Sequence, residues 1–195
     1  MTRTRLFALV APFVVLLSAC GINSVPAAEE EAKARWADVQ NDYQRRSDLI
    51  PNLVATVRAA AAQERNVLRE VTEARASASR IQMTGEQLTD PQAMARFAEA
   101  QARLTISLQR LQEAYPELQA NENFVTLQHQ IEGTENRVAR SRERYNQAVQ
   151  SYNTLIRTFP SVIGARVVHG AQAMVPYQAD PESQRAPRVD FGNSS

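Results

Sequence analysis

The residues that could do chemistry form two short polar clusters within sequence that is otherwise helical in character. One cluster surrounds a proline and the other a glycine, and their members are Arg45, Arg46, Asp48 and Asn52, and Glu132, Glu135, Asn136 and Arg137. Carboxylates and arginines in such clusters can serve as general acids and bases or can bind a charged partner. An acid–base enzyme using Asp48, Glu132 or Glu135 is one hypothesis, and a cleft with two facing carboxylates would support it.

Other catalytic chemistries lack the residues that they need. A di-iron site in a helical bundle requires Glu-x-x-His pairs, but Thr126 precedes His129 and Arg166 precedes His169 at that spacing. The chain has no zinc-protease motif, no glycine-rich phosphate loop and no nucleophile elbow. We therefore interpret both histidines as surface residues and expect no metal and no cofactor. Because 22 basic and 21 acidic residues are interleaved, no basic face for nucleic acid is expected either.

The N-terminus has the pattern of an export signal. Arg3 and Arg5 precede an apolar run over residues 6–17, which is short for a bilayer core of about 30 Å. The run leads into Leu-Ser-Ala-Cys, which ends at Cys20, the single cysteine, and resembles a bacterial lipobox. We predict a signal peptide over residues 1–19 and alkylation of the Cys20 thiol with diacylglycerol, with fatty acyl chains such as palmitate. A plain secretory signal and an uncleaved anchor are the alternatives.

Lipid at this cysteine would hold the protein on a membrane, since each buried methylene contributes about 0.8 kcal/mol. Gly21 follows the cysteine, and the absence of Asp there indicates the periplasmic face of the outer membrane if the organism has two membranes. Residues 20–28 are then expected to form the lipidated N-terminus and a short tether.

Apolar spacing predicts three long helices. From residue 29 to residue 81, apolar side chains recur every three or four positions and keep one register across Pro51. Proline inside a helix normally kinks or ends it. We predict one helix kinked at Pro51; a break, with Asp48 capping a new helix from Leu49, is the alternative.

Start and stop signals delimit the other two helices. Asp90 followed by Pro91 starts the second, and Pro116 stops it. Either Asn121 or Asn123 caps the third, which Pro160 ends. The core positions of this third helix repeat every seven residues: Phe124, Ile131, Val138, Tyr145, Tyr152 and Phe159.

These helices predict an all-α, elongated antiparallel bundle over residues 29–160 that resembles a four-helix bundle. A weak C-terminal helix over residues 161–176 and a disordered tail over residues 177–195 follow. The first helix should extend beyond the shorter second helix near the membrane. Its side chains Trp36, Val39 and Tyr43 must then be covered by the third helix, by the C-terminal segment or by another copy of the protein.

Arg46 and Thr134 fall on inward positions of their helices. The two polar clusters therefore either recognise a partner or form a buried network that sets the helix register. Gly133 costs up to about 1 kcal/mol inside a helix and allows close approach of a neighbouring backbone.

The polar clusters belong to longer segments that resemble the LemA family of bacterial envelope proteins. The similar segments lie between residues 36 and 177: 45–54, 71–75, 115–118, 120–124, 132–137, 144–146, 152–156 and 159–160. The resemblance implies a membrane-attached helical bundle with no established enzymatic activity. Many members of the family have an uncleaved transmembrane helix where this chain has Cys20.

Two functions are expected from these observations. The first is a lipid-anchored, non-catalytic scaffold or adaptor of the cell envelope that binds another, unidentified envelope protein through its bundle. The second is a homo-oligomer that organises or coats the membrane through the overhanging seam of Trp36 and Tyr43.

Overall fold

The computed structural model describes residues 23–60 and 65–178, and the secondary structure in this part of the chain is helical throughout, which confirms the all-α prediction. The main helices are α1 (Ser24–Ala60), α2 (Arg65–Arg80), α3 (Pro91–Ala114), α4 (Glu122–Leu155) and α5 (Ser161–Val167), with short 3-10 turns at Gly85–Thr89 and Pro116–Ala120. The predicted signal peptide, Cys20 and the tail from residue 179 lie outside the described residues.

Helix α1 begins at Ser24, so residues 24–28 are helical and not part of a tether. Pro26 is accommodated because it lies in the first turn, where backbone N–H groups have no partner within the helix. The helix continues through Pro51, as the unbroken apolar register predicted. The alternative, a new helix starting at Leu49, is wrong.

The prediction of one helix as far as Ile81 is also wrong, because α1 and α2 are separate helices that run antiparallel. Ser47 Oγ lies 3.0 Å from Ser79 Oγ, and Arg75 Nε donates to the Ser47 carbonyl at 2.9 Å. A continuous helix would hold Ser47 and Arg75 about 40 Å apart. The apolar spacing is the same on both sides of the reversal, so it predicted a helix but not a change of direction.

The four long helices form an up-down-up-down bundle. Helices α1 and α4, with 37 and 34 residues, are each roughly 50 Å long, whereas α2 and α3 are shorter. An ion pair between Arg46 and Glu135 and a ring contact between Trp36 and Tyr145 fix the antiparallel register of α1 and α4. Trp36 lies ten residues before Arg46 in α1, and its partner Tyr145 lies ten residues after Glu135 in α4.

Capping residues set the helix starts as predicted. The Asp90 carboxylate accepts from the Gln92 N–H at 2.8 Å at the start of α3. Asn121, and not Asn123, caps α4, because its side-chain oxygen accepts from two backbone N–H groups in the first turn. Helix α4 ends at Leu155 rather than at Pro160, so Phe159 leaves the heptad pattern and is 80% exposed.

The aromatic residues of α1 are buried within the chain. The Trp36 ring lies 5.1 Å from the Phe97 ring and 5.0 Å from the Tyr145 ring, and the Tyr43 ring lies 5.4 Å from the Phe97 ring. Helix α4 and the C-terminal segment cover this part of α1, as two of the three expected possibilities stated. The prediction that the first half of α1 extends beyond the bundle is therefore wrong. Because Trp36 and Tyr43 are buried, they do not form the seam that was expected to join copies of the protein.

Residues 171–178 form an extended segment, here named the C-terminal strap, where a helix and then a disordered tail were predicted. The Asn153 side chain binds both the N–H and the C=O of Met174, at 2.9 and 2.8 Å. Asn146 binds the N–H and the C=O of Tyr177 in the same way, at 2.7 and 2.9 Å. Tyr177 is buried, and its hydroxyl lies 2.9 Å from the Tyr43 hydroxyl. The strap therefore covers α1 and α4 beyond the end of α2.

Candidate functional site

A buried guanidinium lies at the middle of the bundle. Arg46 is 1% exposed, and its Nη1 donates to Glu135 Oε1 at 2.5 Å and to Thr105 Oγ1 at 3.0 Å. Its Nη2 donates to Gln101 Oε1 at 2.8 Å, and the guanidinium stands 5.0 Å from the centroid of the Tyr43 ring. One side chain of α1 is thereby tied to both α3 and α4.

This network has the chemistry of a structural lock. The Arg46 guanidinium has hydrogen-bond donors but no acceptor, and the Glu135 carboxylate is paired with it. Thr134, the other inward polar residue, is 8% exposed and donates to the Ile131 carbonyl at 2.6 Å. The inward placement of Arg46 and Thr134 is confirmed, and the contacts of Arg46 fix the relative heights of three helices.

A second arginine compensates for the proline in α1. Proline has no N–H, so Pro51 cannot donate to the carbonyl four residues earlier, which belongs to Ser47. Arg75 on α2 donates its Nε to that carbonyl at 2.9 Å. The two segments around Pro51 and Arg75 are therefore joined in space by the hydrogen bond that the proline leaves free.

An open cleft of about 280 Å³ lies between α1, the end of α2 and α3. Five of its twelve lining residues carry amide side chains: Gln40, Asn41, Gln44, Gln82 and Gln101. Neither a carboxylate nor an imidazole lines this cleft. The cleft can form hydrogen bonds but has no acid–base pair.

The other residues of the two predicted clusters point outward. Six of the eight are exposed: Arg45, Asp48 and Asn52 on α1, and Glu132, Asn136 and Arg137 on α4. Asp48 accepts from Gln44 Nε2 at 2.7 Å, and Glu132 lies 3.4 Å from the exposed His129. The structure thus brings together Arg46 and Glu135 and leaves the remaining six at the surface.

These exposed residues lie within about two helical turns of one another along the bundle. Arg46 pairs with Glu135, so the antiparallel register places Asp48 level with Gly133. We name this exposed set, together with Gly133, the mid-bundle surface; its members are Arg45, Asp48, Asn52, Glu132, Gly133, Asn136 and Arg137.

Gly133 is exposed, and a Cβ atom added to it would meet no described atom within 4 Å. No backbone of the described residues therefore makes the close approach that a glycine here allows. Glycine destabilises a helix by up to about 1 kcal/mol relative to alanine, and no packing contact among the described residues offsets this.

Four residues that hold the fold together were not singled out from the sequence as doing so: Arg75, Gln101, Asn146 and Asn153. Three of them had a usable signal. Pro51 implies an unpaired carbonyl at Ser47 and hence a donor such as the arginine at position 75. The two asparagines are seven residues apart, so they lie on one side of α4. The glutamine occupied an ordinary apolar-stripe position and gave no signal.

Burial perturbs the tyrosines in the half of the bundle that the C-terminal strap covers. Desolvation raises the pKa of Tyr43 well above its ordinary value, and the neighbouring Tyr177 raises it further. Desolvation also raises the pKa values of Tyr145 and Tyr152. The neutral form of each of these three phenols is therefore favoured in the folded protein.

Neither a metal nor a membrane span has a basis in the described residues. Side chains of His, Cys, Asp and Glu do not gather in groups of three or more suited to a metal ion within residues 23–60 and 65–178. In the same ranges, each helix is either too short or too polar to cross a membrane.

Comparison with models of known protein families gives a match over most of the chain. The sequence model of the LemA family matches residues 35–191, which is most of the chain. A search of curated proteins found no match.

Proposed function

Because the chain belongs to the LemA family, a family of membrane-associated envelope proteins that is not known for enzymes, we propose that it is a non-catalytic, lipid-anchored scaffold of the envelope. In this proposal, Cys20 carries the lipid, and the mid-bundle surface binds another envelope protein. The sequence around Cys20 supports the anchor, and the exposed position of the second cluster supports the binding surface.

Gly133 is the observation that carries the binding surface. A glycine in the middle of a helix is unfavourable, and no described atom uses the space that it leaves. The same space is open to solvent and flanked by Glu132, Asn136 and Arg137. A partner backbone could therefore approach α4 closely at Gly133 and find both charges and amide groups around it.

The surrounding polar residues support the same proposal. The side chains of Arg45, Asn52, Asn136 and Arg137 form neither hydrogen bonds nor ion pairs with the described part of the chain. Internal polar contacts at this height come instead from Arg46, Ser47 and Arg75, whose partners are other residues of the bundle. The exposed residues are thus free to contact a second protein.

The positions of the carboxylates support a non-catalytic role. Glu135 is paired with Arg46, whereas Asp48 and Glu132 are exposed on different helices and outside the cleft. Two further clefts, one between α4 and the strap and the other between α1 and α4, likewise have no pair of carboxylates in their lining, so none of these three clefts offers the arrangement that the acid–base hypothesis requires.

The binding surface is tested by site-specific photo-crosslinking in cells with the full-length protein. A photoreactive phenylalanine analogue at Asn52 or Asn136 should give a reproducible adduct with an envelope protein. The same analogue at Gln109, an exposed position on α3, is the matched control and should give none. Adducts of equal yield from all three positions, or none at all, would refute the surface.

A second variant links the partner to the glycine. Gly133→Leu should abolish the adduct formed at Asn136 because the new side chain fills the approach, while the bundle still folds. Ala139→Leu, at an exposed position on the same helix, is the control and should leave the adduct intact. A Gly133→Leu protein with an unchanged adduct would remove the role of Gly133.

The anchor is tested separately. Cys20→Ser should release the protein from the membrane fraction or leave the signal peptide uncleaved. Unchanged fractionation together with unchanged mass of the mature protein would contradict lipid attachment.

A further inference from the structure

Exposed apolar side chains are concentrated at one end of the molecule. Among the described residues, five large hydrophobic side chains are exposed, and four of them lie within ten positions of one another. These four are Phe159 at 80%, Ile163 at 56%, Val167 at 79% and Val168 at 59% exposed. The fifth, Ile106, lies on α3. We name the group of four the apolar end patch.

This patch lies at the end of the bundle where α1 begins. The register of α1 and α4 places Ile156 level with Val25, and both are buried in one cluster with Ala165 of α5. Helix α5 also packs on α1. The patch therefore stands beside Asn23, the first described residue.

The proposed membrane anchor at Cys20 is close to this end of the bundle along the chain. Only residues 21 and 22 separate Cys20 from Asn23, a reach of about 10 Å when fully extended. The apolar run over residues 6–17 is also close along the chain. Whether the anchor is lipid or an uncleaved apolar segment, the apolar end patch is held within a short distance of the bilayer.

The charge of the segment fits an anionic lipid surface. Residues 156–178 contain Arg157 and Arg166, both exposed, and contain neither Asp nor Glu. Basic residues beside an apolar patch are the composition that binds the interface of an anionic bilayer.

We propose that the apolar end patch, with Arg157 and Arg166, is a second membrane contact that inserts into the interface of the anchored bilayer and holds the bundle in a fixed orientation on it. The inference rests on the proposed anchoring at Cys20, which supplies the bilayer. It adds an orientation that attachment at Cys20 alone would not give, and it directs the mid-bundle surface towards partners at a set height.

The direct test uses the chain from residue 21 onward, which keeps every described residue and lacks the acylated cysteine. It should co-sediment with vesicles of phosphatidylglycerol and phosphatidylethanolamine, and more weakly with phosphatidylcholine vesicles. Replacing Phe159 by Ser, or Ile163 and Val167 together by Asn, should lower the vesicle partition coefficient about tenfold. Replacing either Arg157 or Arg166 by Gln should lower it about fivefold on anionic vesicles only.

Ile106→Asn is the matched control, since it removes an exposed apolar side chain from the side of the bundle, and it should bind vesicles like the wild type. Equal losses for Ile106→Asn and the patch variants would overturn the inference. So would the absence of binding by the wild type, or equal binding to both kinds of vesicle.

A spectroscopic measurement keeps the test independent of sedimentation. Trp36 is 2% exposed, so its emission supplies a constant background, and Phe159→Trp adds a reporter on the patch. Lipids with brominated acyl chains should quench the added emission, whereas Ile106→Trp should remain unquenched. Quenching of neither reporter would overturn the inference.

Two results separate this inference from the proposed function. Vesicle binding without crosslinks at Asn52 or Asn136 would support the membrane contact of the apolar end patch and refute the scaffold function. Crosslinks without vesicle binding would support the scaffold function and refute the membrane contact. If light scattering showed a dimer without vesicles that the patch variants convert to a monomer, the patch would be an interface between copies, and the membrane contact would be refuted.

Discussion

The guanidinium of Arg75 donates to the carbonyl of Ser47, the acceptor that Pro51 leaves without its helical donor. Two segments of the LemA pattern, one around the proline and the other ending at Arg75, are thus complementary parts of a single local arrangement. The proline is tolerated inside α1 because α2 turns back and supplies the missing donor.

We expect Arg75→Leu to lower the free energy of unfolding by about 1–3 kcal/mol, since the Ser47 carbonyl would lose its donor. In a Pro51→Ala background the loss should be smaller, because the substitution restores a backbone N–H that can donate to the same carbonyl. Urea denaturation of the four proteins in this cycle measures the coupling. Arg80→Leu, at an exposed position on α2, is the control, and equal losses in both backgrounds would refute the compensation.

Removal of the Glu135 carboxylate should destabilise the bundle because the Arg46 charge stays buried. We expect Glu135→Ala to cost about 2 kcal/mol, less than for a fully buried pair because the Glu135 side chain is 36% exposed. Glu132→Ala, at an exposed position three residues earlier, should change stability by less than about 0.5 kcal/mol. Equal effects in thermal denaturation would show that the ion pair does not lock the register.

The strap depends on two asparagines that each bind one backbone residue twice. Asn146→Ala and Asn153→Ala should each cost about 1–3 kcal/mol, since two hydrogen bonds to a half-buried backbone are lost. Hydrogen exchange should show loss of protection first at the amides of Met174 and Tyr177. Gln150→Ala, between them on α4 but exposed, should leave this protection unchanged.

Gly133→Ala should raise the free energy of unfolding by up to about 1 kcal/mol, because alanine favours the helix and its Cβ meets no described atom. Gly170→Ala should lower it, because Gly170 has a φ of +56°, which alanine adopts only with strain. Thermal denaturation of both variants distinguishes a helix-propensity effect from a packing effect. A destabilised Gly133→Ala protein would indicate an internal contact at this position.

Stability should fall in alkaline solution. Burial raises the pKa of Tyr43 in the folded protein above the value of about 10 in the unfolded chain. The stabilisation by the neutral phenol is therefore complete below about pH 10 and declines as the pH rises from there, since the unfolded state loses its proton first. Tyr43→Phe should reduce the slope of stability against pH in this alkaline range, measured by urea midpoints. An unchanged slope would exclude Tyr43 as a contributor.

The parts of the fold that sequence predicted depend on local signals. The caps at Asp90 and Asn121, the passage through Pro51 and the burial of Arg46 all follow from helix chemistry within a few residues. The reversal between α1 and α2 was not predicted because an apolar stripe has the same period in either direction. The change of role at Phe159 depended on where α4 stops, which heptad spacing does not encode.

The candidate site was predicted in the same partial way. Sequence placed Arg46 on the inward side of α1 and Gln101 on the apolar stripe of α3. The spacing within each helix does not say that Gln101 and Thr105 lie beside Arg46 in the folded protein. The strap was missed because its polar groups are satisfied by side chains of α4 rather than by a repeating backbone pattern.

The hydrogen bond between Tyr43 and Tyr177 spans 134 positions of the chain. During synthesis, α1 emerges long before the residues that cover its aromatic side chains. The half of the bundle that contains Trp36 and Phe97 is therefore completed last, once Tyr177 is free of the ribosome or of a translocation channel. A chain that stops short of the strap leaves the rings of Tyr43 and Phe97 without the cover that Tyr177 gives them.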